Sequence, residues 1–140
     1  MVFHGILRAG ATATTVNSLY TPDDVAKQLR HSGARTLFTV SAFLERATAA
    51  TSQHGVRVTE TVVLDGAAGH PARADLLAED AAVLDVGIDP AADLAVLPYS
   101  SGTTGNSKGV MLTHATWCCR SSTSTADRAD ELRALHRGGS

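Results

Sequence analysis

Tyr99-Ser100-Ser101-Gly102-Thr103-Thr104-Gly105-Asn106-Ser107-Lys108-Gly109-Val110 lies between two apolar runs, Leu94-Ala95-Val96-Leu97 before it and Val110-Met111-Leu112 after it. Apolar runs of strand length around a glycine-rich stretch predict strand, loop, strand. Gly102, Gly105 and Gly109 let the backbone turn through positive φ and bring its N–H groups close to a ligand. Successive N–H groups can then form an anion nest. Ser100, Ser101, Thr103 and Thr104 add hydroxyl donors, and Lys108 adds a compact positive charge. The stretch reads as a loop that handles phosphate.

The spacing excludes one familiar version of such a loop. A Walker-type loop has glycine directly before its lysine and Ser or Thr directly after. Here Ser107 precedes Lys108 and Gly109 follows it. A Gly/Ser/Thr linker is the other reading, and the tight placement of lysine and glycines between apolar runs argues against it.

Outward from the loop, strands alternate with helices. Thr21-Pro22-Asp23-Asp24 predicts a helix start, with Thr21 as N-cap, proline in the first turn and two carboxylates at the positive end of the dipole. Val25, Ala26 and Leu29 supply its apolar face, and Gly33 its stop. Thr36 to Val40 reads as a strand. Ser41 reads as the N-cap of a helix running through Phe43, Leu44 and Ala47 toward Gly55, and Val56 to Leu64 as the next strand. Gly5 to Ala11 reads as the end of a helix turning into a short strand near Ala13 to Val16. Gly66 to Pro90 is a turn-rich connection with a short helix over Asp75 to Leu84, and Thr113 or His114 begins a last helix that holds Trp117 in the core. This order predicts the α/β class, with mostly parallel βαβ units.

Composition bounds the partners. The 140 residues are 44% apolar and 19% charged, with twelve basic and fourteen acidic side chains and a formal charge of -2. That balance suits a folded chain, and without a basic run it disfavours nucleic acid. No apolar segment has the ~20 residues of a membrane helix, and the N-terminus lacks a secretory signal's charged start, so a cytoplasmic setting is expected. Cys118 and Cys119 are adjacent and read as reduced thiols. The histidines, His4, His31, His54, His70, His114 and His136, fall in no metal-binding pattern, and no metal ligand or catalytic residue is assigned. Asp23 and Asp24 are explained by helix capping, Glu79 and Asp80 by solvation, Asn17 and Tyr20 by packing, and His114 by capping or packing of the last helix.

Tyr99 to His114 also resembles the ATP-phosphate signature of the adenylate-forming acyl-CoA synthetases. Leu7-Arg8-Ala9-Gly10-Ala11, Val16 to Asp24 and Gln28-Leu29 are similar to the same family, most like its 4-coumarate–CoA ligase branch. The resemblance implies ATP contacts at Ser100, Ser101, Gly102, Thr103, Thr104, Gly105 and Lys108. It further implies magnesium with the ATP, an acyl-adenylate made from a carboxylic acid, and coenzyme A as acyl acceptor. Ser107 stands where many members have proline. Past Trp117 the likeness fades, so residues 1–120 are expected to be a partial AMP-binding N-terminal domain and 121–140 a divergent, disordered or frayed tail. Nothing resembling the family's later adenine-binding segment, magnesium-binding motif or C-terminal lysine follows. The expectation is therefore a truncated or mispredicted slice of a carboxylate–CoA ligase, inactive alone. A non-catalytic nucleotide- or partner-binding module is the alternative, and a poorly folded fragment with exposed sheet edges is a third reading.

Overall fold

The computed structural model describes residues 2–78, 85–100 and 108–119. They fall into two compact units, one of residues 2–13, 85–98 and 110–119, the other of residues 14–78, 99–100 and 108–109. The expected tail over 121–140, the loop interior 101–107 and the Glu79–Asp80 pair lie outside the described residues.

The second unit is built on a βαβ crossover. Helix α2 (Pro22–Ser32; α1, Val2–Arg8, lies in the other unit) begins where its local signals place it, because the Thr21 hydroxyl accepts from the Asp24 N–H and donates to the Asp24 carboxylate at 2.7 Å. Lys27 adds an ion pair to Asp24 at 3.6 Å. The helix ends at Gly33, whose φ of 66° is left-handed and whose N–H donates to the Leu29 carbonyl, an αL cap that glycine adopts without strain. Strand β1 (Thr36–Thr39) pairs in parallel with β2 (Glu60–Val63), in the register Thr36↔Glu60 to Thr39↔Val63. A 3₁₀ turn (Ser41–Phe43) and helix α3 (Leu44–Thr51) make the crossover between them.

The core of this unit forms where the two helices meet. Val25, Ala26 and Leu29 of α2 and Ala50 of α3 are buried together, with Val16, Tyr20, Ala34, Leu37, Val56 and Val58 packed around them. Small alanines at the contact let the helices approach closely. Tyr20 thus packs as its sequence context suggested, whereas Asn17 serves a turn, its carboxamide oxygen accepting from the Leu19 N–H at 2.9 Å. Consecutive Val62 and Val63 are both fully buried. Since neighbouring strand residues face opposite ways, β2 is covered on both faces, as parallel strands are.

Some boundaries differ from expectation. The strand expected over Val56 to Leu64 is shorter, because β1 offers partners only from Arg35 onward: the N–H groups of Thr59 and Glu60 both reach the Arg35 carbonyl. Val56 and Val58 instead pack on the helices as loop residues. Ser41 is not a helix cap. Its N–H and hydroxyl both donate to the Asp65 carboxylate, at 2.7 and 2.5 Å, and Val40 takes the cap position without a side-chain bond. Asp65 comes from the turn after β2, so this clasp ties the ends of both parallel strands together.

The first unit holds helix α1 (Val2–Arg8), closed by a Schellman pattern in which the Gly10 N–H reaches the Leu7 carbonyl and the Ala11 N–H reaches that of Ile6. Gly10 has φ 69°, and a Cβ there would lie 2.6 Å from Val86 Cγ1, so both conformation and space require glycine. The strand expected near Ala13 to Val16 reduces to a single parallel bridge from Ala13 to Val96. Strand β3 (Leu94–Val96) pairs antiparallel with β6 (Leu112–Thr113). Residues 114–119 are helical, and the Thr113 hydroxyl accepts from the Thr116 N–H as cap. The His114 N–H donates to the Asp93 carbonyl. Trp117 is half-buried beside the Phe3 ring rather than sunk in a core. Cys118 and Cys119 are exposed thiols.

In the turn-rich connection, helix α4 (Arg73–Ala78) begins where the Asp75 carboxylate accepts from the Ala72 N–H at 2.7 Å. The class is α/β, and among the described residues the strands form one parallel crossover pair and two short antiparallel pairs.

Candidate functional site

The two ends of the Gly/Ser/Thr-rich stretch are paired strands. Strand β4 (Tyr99–Ser100) runs antiparallel to β5 (Lys108–Gly109), with Tyr99 opposite Gly109 and Ser100 opposite Lys108. The sequence reading ended its strands at Leu97 and Val110; the pairing instead reaches into the signature itself. Direct cross-strand partners project on one face, and consecutive residues project on opposite faces. Ser100 and Lys108 therefore share a face, which Tyr99 does not. Both are exposed at the mouth of the loop, so a hydroxyl donor and a cation stand side by side facing solvent. Of the remaining expected contacts, Ser101, Gly102, Thr103, Thr104 and Gly105 lie outside the described residues.

Tyr99 faces helix α2. Its hydroxyl lies 2.5 Å from His31 Nδ1, and the two rings meet edge to face, 5.6 Å between centres at 84°. Partial burial pushes the Tyr99 phenol above its ordinary value. Sequence reasoning missed His31 as a neighbour of the loop. A histidine in the last turn of a helix is already accounted for by the helix dipole, and nothing local links it to a residue 68 positions away.

Among the described residues no three His, Cys, Asp or Glu side chains converge as a metal cage. None of the described helices is long and apolar enough to cross a membrane. An open apolar groove of about 290 Å³ lies elsewhere in the same unit, with Val16, Val25, Leu37, Phe43, Ala47 and Leu64 among its walls. Arg46, in its wall, donates to the Ser18 carbonyl and lies over the Phe43 ring.

The described residues form an α/β scaffold whose antiparallel ribbon presents Ser100 and Lys108 at the ends of a Gly/Ser/Thr-rich stretch. The chain belongs to the AMP-binding enzyme family, whose model matches residues 1–136. It is 42% identical over 113 residues to 4-coumarate--CoA ligase 3 of Oryza sativa subsp. japonica, covering 80% of this chain and 20% of that protein. It is 40% identical over 116 residues to the 4-coumarate--CoA ligase of Pinus taeda, covering 81% and 21%. Its fold superposes on the anthranilate CoA ligase AuaEII, solved with anthranoyl-AMP, with a TM-score of 0.71 at 29% identity, covering 80% of this chain and 22% of that one. The chain thus spans about a fifth of the length of the curated relatives it matches.

Proposed function

We propose that this chain carries the ATP-phosphate loop of a carboxylate–CoA ligase that works through an acyl-adenylate. The observation that carries the reading is the register pairing of Ser100 with Lys108 at the mouth of the signature loop. In such a ligase the carboxylate attacks the α-phosphorus of ATP, pyrophosphate leaves, and coenzyme A then displaces AMP to form the thioester. The demand on the protein is to hold the triphosphate in line and to stabilise charge on the departing pyrophosphate. Lys108 neutralises that charge. Ser100, Ser101, Thr103 and Thr104 supply hydroxyl donors, and Gly102 and Gly105 carry no side chain that would keep phosphate from an N–H group.

Magnesium accompanies ATP in this chemistry and is held largely by phosphate oxygens. The role assigned to this chain rests on its own donors. Residues 1–120 form a partial AMP-binding domain and 121–140 a divergent tail. The setting is cytoplasmic, and the partners are ATP, a carboxylic acid and coenzyme A. Taken alone, the 140 residues hold phosphate without turnover.

Two measurements test this. In calorimetric titration with ATP, Lys108→Ala should weaken binding roughly tenfold to a hundredfold, the worth of a charge-assisted contact. Equal affinity in the variant would overturn the loop's role. Acid-dependent exchange between ATP and pyrophosphate by the purified chain would overturn the absence of turnover.

A further inference from the structure

We propose that His31 is a positioning residue for the phosphate loop: through Tyr99 it pins the β4–β5 ribbon to helix α2 and so aims Ser100 and Lys108 at the nucleotide. This deepens the reading of the loop as a phosphate holder and rests on it. The anchor is the contact between His31 Nδ1 and the Tyr99 hydroxyl at 2.5 Å, reinforced by the edge-to-face ring contact. A two-stranded ribbon of two residues each has too few ladder bonds to hold its own orientation. A side chain on one face, fastened to a helix, supplies what the ladder lacks.

The helix itself is well fixed. Thr21 caps its start, Gly33 closes its end, and Val25, Ala26 and Leu29 are buried on its inner face. Arg30, beside His31, donates to the Gln53 side chain and the His54 carbonyl, tying the same turn to the segment after α3. His31 therefore stands on a rigid element. Because Tyr99 and Ser100 alternate across the ribbon, fixing Tyr99 against α2 turns Ser100, and with it Lys108, to the opposite face. His31 touches no substrate in this scheme; it acts through Tyr99.

The test is a double-mutant cycle on the 140-residue chain, with ATP affinity read by calorimetry and the Ser100, Lys108 and Gly109 amides read by NMR. His31→Ala and Tyr99→Phe should each weaken ATP binding roughly threefold to tenfold, and the double variant should lose no more than either alone. Both should shift the ribbon amides in the absence of nucleotide. Thr21→Ala loosens the same helix at its other end and should leave ATP affinity unchanged. The proposal is overturned if His31→Ala binds ATP as the parent does, if the two losses add, or if Thr21→Ala costs as much. If the parent chain binds no ATP, the nucleotide reading fails and the amides alone decide. Displaced Ser100 and Lys108 amides in His31→Ala then sustain the pin, and unmoved ones reject it.

Discussion

Asp65 shows how one carboxylate can replace a local signal. Two donors from Ser41 converge on it, and the hydroxyl contact in particular holds its carboxyl below the ordinary aspartate range. A carboxyl whose folded value is lowered contributes stability that is present above its unfolded value, near pH 3.9. That contribution is lost as pH falls through the lower folded value. In Asp65→Asn this part of the acid sensitivity should vanish, so the variant's thermal midpoint should fall less than the parent's between about pH 4 and pH 2. An unchanged acid slope would show that the clasp contributes nothing. Ser41 followed by an apolar helical pattern is a fair N-cap signal. What it could not show is that the turn after β2 delivers an anion to the same hydroxyl, since Asp65 is 24 residues away.

At the scale of elements, helix α2 was legible almost to the residue. Its cap, its proline, its acidic first turn and its closing glycine are all interactions within a few positions of one another. Thr21→Ala should cost about 1 kcal/mol of stability through loss of the cap, measured by urea unfolding. A change within error would mean that packing alone holds the helix start. The strands were legible as apolar runs, but their ends were not. A strand ends where its partner ends, and the partner is remote: Arg35 sets the start of β2, and Lys108 and Gly109 extend the ribbon to Tyr99 and Ser100. Trp117 was misread for a related reason. A large aromatic suggests a core, but the burial it attains depends on neighbours such as Phe3 that come from the far end of the chain.

For the molecule as a whole, stability in the βαβ unit centres on the contact of α2 with α3. Leu29 is fully buried there, so Leu29→Ala should cost about 2–5 kcal/mol through lost burial and a residual cavity, checked by denaturant unfolding. A cost below about 1 kcal/mol would mean that the helices collapse into the space or were never closely packed. The sequence by itself determined the α/β class, the place of the glycine-rich signature and the family, because these rest on periodicity, local turn chemistry and an unbroken motif. Only the tertiary structure decided that Ser100 faces Lys108, that Ser41 is clasped by Asp65 and that His31 meets Tyr99. Each of these joins residues far apart in the chain, and such a meeting is set by strand register and helix packing, which no local stretch encodes.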